Sequence, residues 1–162
     1  MHQLALAAAV LCTLTLSGIA GSHKVPEEDP IATVTIPDSW KTDDIEDGIE
    51  VTSDDGEVYL AIEATDGDSV KEGMDEAIKY LKSKGVTVNS DSVKQEEGKL
   101  GDMDVVDVSW DGKDEEGAAK ISLTVISVTK TEGLLLIYWA SPEGEKKHME
   151  ALSAIAKSIK KA

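Results

Sequence analysis

The sequence predicts an α+β domain in which an antiparallel β-sheet of about six to seven strands carries two main helices. Three observations predict it. Apolar residues recur at the helical period in two stretches, one opening at Asp68 or Ser69 and one at Ser141. Elsewhere apolar and polar residues alternate, as they do in strands. The strand-like runs between the two helices are joined by short turns, which only antiparallel neighbours allow. The chain has 162 residues, the size of one ordinary domain.

Residues 1–22 read as an export signal. Residues 4–16 are apolar apart from Cys12, Thr13 and Thr15, and the small residues Ser17, Gly18, Ala20, Gly21 and Ser22 follow. The run is short of the roughly 20 residues that span a bilayer. The small-residue tail predicts cleavage after Ala20 or Ser22. Met1-His2-Gln3 contains no basic residue, which leaves an uncleaved N-terminal anchor as the alternative. Cys12 is the only cysteine, and Leu11 stands where a lipidation site wants a small residue. The exported body therefore has neither a disulfide nor thiol chemistry. The product is expected in the periplasm or outside the cell, with no stable membrane insertion once the signal is removed. About 140 residues remain, enough to bury a core without covalent staples.

Residues 23–30, with two prolines, read as a linker, and the domain proper as 31–162. Residues 31–36 alternate as a strand, ended by Pro37-Asp38-Ser39-Trp40. Residues 41–48 are acidic and read as irregular. Ile49 and Val51 mark a short strand, and Asp54-Asp55-Gly56 signals a hairpin turn. Residues 57–65 alternate as a half-buried strand, with Val58, Leu60, Ile62 and Ala64 on one face. Ser69-x-x-Glu72 matches a capping box for the first helix, whose apolar set is Val70, Met74, Ala77, Ile78 and Leu81; Gly85 stops it. Residues 86–100 are polar and predict an exposed edge strand. Residues 102–111 form a strand with Val106, Val108 and Trp110 inward. In residues 118–130 Ile121, Leu123 and Val125 share one face while Ile126 and Val128 lie on the other, which predicts a β-bulge or burial on both faces. Residues 134–140 are apolar throughout, as in a central covered strand. Ser141-Pro142-Glu143 starts the last helix, which is expected to bury Met149, Leu152, Ile155, Ala156 and Ile159.

Charge excludes one class of partner. The net charge is −16, and all 16 basic residues are lysines. Without arginine there is no bidentate phosphate fork, and the field repels nucleic acid. The expected partner is a protein or a cationic ligand. Asp43, Asp44, Asp47, Asp54 and Asp55 lie in stretches that read as loops, as hard oxygen ligands should, and are the candidate metal ligands. No stretch, however, has the spacing of a calcium-binding loop. Trp40, after its proline turn, either plugs one end of the sheet or rims a binding cleft.

No catalytic constellation emerges. Gly67-Asp68-Ser69 resembles the surroundings of an esterase nucleophile, but a serine needs a base within reach. Helix capping accounts for the same residues. His148 is the only histidine beyond the signal and the linker, reads as a surface residue, and cannot build a zinc site alone. No phosphate loop or cofactor fingerprint appears, and no cofactor is expected.

Ile36-Pro37-x-x-Trp40, Gly98-Lys99-Leu100-Gly101 before a long antiparallel run, then a Tyr-rich strand and a closing helix with Ser158 together resemble the PsbP-like superfamily, including its exported DcrB-type bacterial members. The resemblance spans roughly residues 31–160. The family's first strand usually carries an aromatic where Val34 and Ile36 stand here. The resemblance implies a twisted antiparallel sheet with helices on its faces, and an accessory or binding role rather than catalysis. It carries no metal site onto this sequence. The functional expectation is an exported, non-catalytic binding or accessory domain. The alternatives are a hydrolase working through carboxylates or Ser69, or a calcium-responsive acidic surface protein.

Overall fold

The computed structural model describes residues 20–66 and 70–162. The signal-like stretch up to residue 19 and the Gly67-Asp68-Ser69 cap, including the candidate nucleophile Ser69, lie outside the described residues.

The chain opens with β1 (Ala20–Val25) and β2 (Ala32–Pro37), an antiparallel pair. Residues 23–25 of the stretch read as a linker thus pair as strand. A hairpin follows, β3 (Lys41–Ile45) and β4 (Gly48–Thr52), then β5 (Val58–Asp66) and α1 (Val70–Ser83). Gly85, at φ 77°, ends α1 in the left-handed conformation that glycine adopts without steric cost. Next come β6 (Thr87–Val88), a 3-10 turn at Ser90–Ser92, β7 (Lys94–Leu100), β8 (Met103–Lys113), β9 (Ala118–Ser127) and β10 (Glu132–Ala140). The chain closes with α2 (Pro142–Ser158) and β11 (Lys160–Lys161).

The fold class is the α+β class expected, but among the described residues the strands number eleven and form two sheets. Eight make one sheet in the order β3-β4-β5-β10-β9-β8, with β6 and β7 both edging β8. Three make a small sheet, β1-β2-β11. The 41–48 segment is not irregular. Lys41, Asp43 and Asp44 belong to β3, an edge strand, where charged side chains discourage pairing with another chain. That substitution of charge for alternation is why the strand is hard to read.

β10 inserts between β5 and β9 and is antiparallel to both. Its even-numbered residues Leu134, Leu136, Tyr138 and Ala140 join one core cluster, and Leu135 and Ile137 the other. The same two-sided burial explains β9. Its pairing with β8 runs unbroken from Asp104↔Ser127 to Lys113↔Ala118, so no bulge exists. Ile121 and Leu123 face α1, while Ile126 faces the opposite core. β5 too is covered twice, because Ala61 lies in the α1 cluster.

The layers are therefore α1, the large sheet, and then α2 with the small sheet. On the α2 side the core holds Val25, Val34 and Ile36 from the small sheet, Ile49, Val51 and Ile62 from the large one, and Ile155 and Ile159 from the last helix region. The buried residues of α2 are Gly144, His148 and Ile155; of the set expected, Ile155 and Ile159 are buried and Leu152 packs against the core, but Met149 and Ala156 do not. Met149 is 58% exposed and Ala156 is exposed. The inward line thus runs through His148 rather than Met149 in the N-terminal half of the helix, and the reason lies in how α2 is pinned.

Candidate functional site

α2 is fastened at its N-terminal half to the turn between β4 and β5. Ser141 accepts a hydrogen bond from the Gly144 amide at 2.9 Å, and Pro142 takes the first helical position, where a missing N–H costs nothing. The Ser141 amide donates to the Glu57 carbonyl at 3.2 Å, and its hydroxyl to the Glu57 carboxylate. Gly144 rests on this turn so closely that a Cβ would stand 2.5 Å from Glu57 Cβ. A turn later, Asp55 ties hairpin to helix. It accepts from Ser53 Oγ at 2.7 Å, from the Glu57 amide at 3.2 Å and from Lys147 Nζ at 2.6 Å, and it meets His148 Nε2 at 2.9 Å. The Lys147 ammonium, then His148 and Ser53, hold the Asp55 carboxyl well below the usual carboxylate range. His148 is 9% exposed, with its ring 5.3 Å from that of Trp40 in an edge-to-face contact. The expectation of a surface histidine fails because Trp40 packs on its ring and Asp55, 93 residues away, reaches its Nε2.

Of the candidate metal ligands, the structure brings only Asp54 and Asp55 together, and adds His148. One donor atom from each lies within 4.8 Å of the others. The oxygens of Asp55 are already occupied, so a cation would have to displace the Lys147 ammonium. The group works as a clamp. Asp43 and Asp44 are adjacent in β3, and successive strand residues point to opposite faces. Asp43 pairs with Lys41 at 2.7 Å. Asp47 sits in the β3–β4 turn, roughly 20 Å along the strand from Asp54 at the rise per residue of an extended chain. Trp40 is 6% exposed and packs in the core rather than on a rim.

Pinned in this way, α2 lies over β5, β10 and β9 and leaves the β8 side of the sheet open. Two cavities follow the resulting groove. The first, about 340 Å³, has a floor of Asp107, Ser109 and Asp111 from β8 and Lys120 and Ser122 from β9. The second, about 330 Å³, runs under the helix between Leu60 and Leu136 of the sheet and Met149, Leu152, Ile155 and Ala156 of α2. Ser122, Tyr138 and Glu145 line both, so the two form one groove with a polar and an apolar half.

The polar floor is a ladder of directly opposed residues: Asp107↔Thr124, Ser109↔Ser122 and Asp111↔Lys120. Thr124 Oγ1 donates to Asp107 at 2.5 Å, and Lys120 Nζ to Asp111 at 2.5 Å. Lys120 holds the Asp111 carboxyl below its ordinary value, and Asp111 holds the Lys120 ammonium above its own. At the junction the Tyr138 hydroxyl donates to Glu145 at 3.4 Å; burial, with Glu145 beside it, pushes the phenol up. At neutral pH, Lys120 is charged, Asp111 ionised and Tyr138 protonated. A protonated lysine cannot take a proton from Ser122, and neither cavity is lined by an imidazole or a thiol. The groove offers fixed donors and acceptors, which suits binding.

Sequence reasoning missed this site. Its period-two signal is present in the polar residues 107, 109 and 111 and 120, 122 and 124. Alone, such residues describe any solvated strand face; α2 beside them makes the face a groove.

No family model matches the chain, and no curated protein matches its sequence. Solved structures do share its fold. The chain is similar to the cyanobacterial PsbP, CyanoP, of Synechocystis sp. PCC 6803, with 9% identity, 94% of this chain and 99% of that one covered, and a TM-score of 0.58. It is similar to LpqN of Mycobacterium tuberculosis, a protein involved in cell envelope biogenesis, with 15% identity, coverage of 88% and 91%, and a TM-score of 0.56. A Bacteroides thetaiotaomicron protein aligns over 81% of this chain and 45% of its own, at 16% identity and a TM-score of 0.52. At these identities the likeness is one of fold, and the fold is PsbP-like, as the resemblance in the sequence implied.

Proposed function

We propose that this PsbP-like chain is an exported, non-catalytic binding domain whose ligand lies in the groove between α2 and the large sheet. The observation that carries the reading is the junction at Ser122, Tyr138 and Glu145, which makes one continuous site of a polar and an apolar cavity. Each half alone sits at the lower bound of small-molecule sites, which run from roughly 300 to 1,000 Å³; together they fall well inside that range. The charge states of Lys120 and Asp111 support binding over acid–base chemistry. Export is supported by the signal-like start of the sequence. The likeness to LpqN, with its described part in envelope biogenesis, is of fold only and agrees with that location. Among the described residues no helix is long and apolar enough to cross a membrane.

Amide chemical-shift mapping of the chain against a small-molecule panel tests the reading. Ligands should move the amides of Asp107, Ser109, Ser122, Tyr138 and Leu152, and Ser122→Trp, which fills the junction, should abolish those shifts. Shifts confined to other surfaces would refute the groove. Turnover of ester or glycoside substrates that disappears in Asp107→Asn or Ser122→Ala would refute the non-catalytic assignment.

A further inference from the structure

Resting on that reading of the groove, we infer the class of its ligand: an amphiphile with one aliphatic chain and an uncharged, hydroxyl-rich head. The two halves of the groove demand different chemistry from one molecule. Under α2 the walls are Leu60 and Leu136 on one side and Leu152, Ile155 and Ala156 on the other. A chain of methylenes gains there from leaving water, and a charged group would lose. Met149, exposed at the lip, has the flexible, polarizable side chain that adapts to such a chain.

The polar half discriminates by charge balance. Three carboxylates, Asp107, Asp111 and Glu145, face two ammonium groups, Lys94 and Lys120. A phosphate or carboxylate head would meet the carboxylates on a chain of net charge −16. A quaternary ammonium head would meet Lys94 and Lys120. A neutral head with several hydroxyls fits both signs, because each hydroxyl donates to a carboxylate and accepts from an ammonium or a serine. Ser109 and Ser122, opposed across the strands, add two hydroxyls of the same dual character. Tyr138 and Glu145 stand where head and chain meet. Their mutual hydrogen bond, at 3.4 Å, is long for an O–H donor and leaves the phenol able to turn toward a ligand oxygen.

The experiment titrates the full chain, followed by amide shifts, with octyl glucoside below its micelle concentration. Hexyl glucoside, glucose alone, octanoate and octyltrimethylammonium serve as comparisons. Octyl glucoside should saturate and move both Ser122 and Leu152. Removing two methylenes should weaken it about tenfold. Glucose and the two charged octyl probes should each bind at least tenfold more weakly. Ala156→Glu, on an exposed flank of α2 where folding is undisturbed, should lower octyl glucoside affinity at least tenfold and leave the amide spectrum of the core unchanged. If octanoate or the ammonium probe binds the groove as well as the glucoside does, the neutral head is overturned while the groove stands. If glucose alone binds equally, or hexyl and octyl glucosides bind alike, the aliphatic chain is overturned. If no probe moves Ser122 or Leu152, the ligand class and the groove reading fall together.

Discussion

Both faces of the large sheet carry a buried core, but they differ in how far their helix covers them. On one, α1 sets Ala77 and Leu81 on Ala61, Ile121, Leu123, Leu135 and Ile137 and closes the surface. Aromatics continue the cover: Tyr59 stacks on Trp139 at 3.9 Å, and Tyr80 of α1 joins Tyr59 at 2.6 Å and Glu50 at 2.9 Å through its hydroxyl. On the other face α2 is held toward the β4–β5 turn by Asp55 and Glu57, and the β8 side stays open. One helix completes a core, whereas the other, displaced by its clamp, leaves a groove. Substitutions on the closed face should therefore cost more than substitutions in the groove wall, and the reverse should hold for ligand binding.

The largest effect is expected from Leu123→Ala, a fully buried side chain on the closed face. It should cost about 3 kcal/mol in urea unfolding. Leu152→Ala, half-buried in the groove wall, should cost roughly 1 kcal/mol. Equal costs would mean that the groove is closed core and would end the comparison.

A smaller effect is expected at the clamp. Because the folded state holds the Asp55 carboxyl low, the stabilisation it gives is present above the unfolded value, near pH 4, and is lost as pH falls below that. Melting temperatures of the native chain and Asp55→Asn should differ by a constant amount above about pH 5 and converge in stronger acid. A difference that grows on acidification would contradict the clamp.

Tyr80→Phe removes the hydroxyl shared by Tyr59 and Glu50 and should cost about 1 kcal/mol. The loss should be independent of any groove ligand, since Tyr80 lies on the closed face.

The smallest effects are expected from exposed charges. Lys120→Gln should leave the unfolding midpoint within error, because exposed ion pairs contribute little. The same variant should alter groove binding, which separates the two roles of that face. Millimolar calcium should not raise the melting temperature, because the oxygens of Asp55 are already engaged. A rise would make the Asp54–Asp55–His148 group a cation site.

How much was legible follows from the range of each interaction. The β10 run, the Ser141-Pro142 start of α2 and the Gly85 stop of α1 are local patterns, and each stands where its residues predict. β3 was obscured because an edge strand substitutes charge for alternation. The pairing of β1 with β2 was obscured by Pro26 and Pro30, which mark a break in structure although the strand ends before them. The two-sided burial of β9 was visible as a change of parity, but choosing between a bulge and a second core required a partner on each face.

By itself, then, the sequence determined what depends on neighbours along the chain: helix caps, turn positions, the alternation of most strands, and a strongly acidic net charge. Tertiary structure alone decided what depends on residues far apart. It placed His148 against Asp55, rotated α2 so that Met149 faces water, and set Glu145 and Leu152 beside Ser122 through the insertion of β10 between β5 and β9. The physical reason is that a strand face is half an interface. Whether it becomes core, solvated surface or binding groove depends on the helix laid across it, and the position of α2 was set by a turn some ninety residues earlier in the chain.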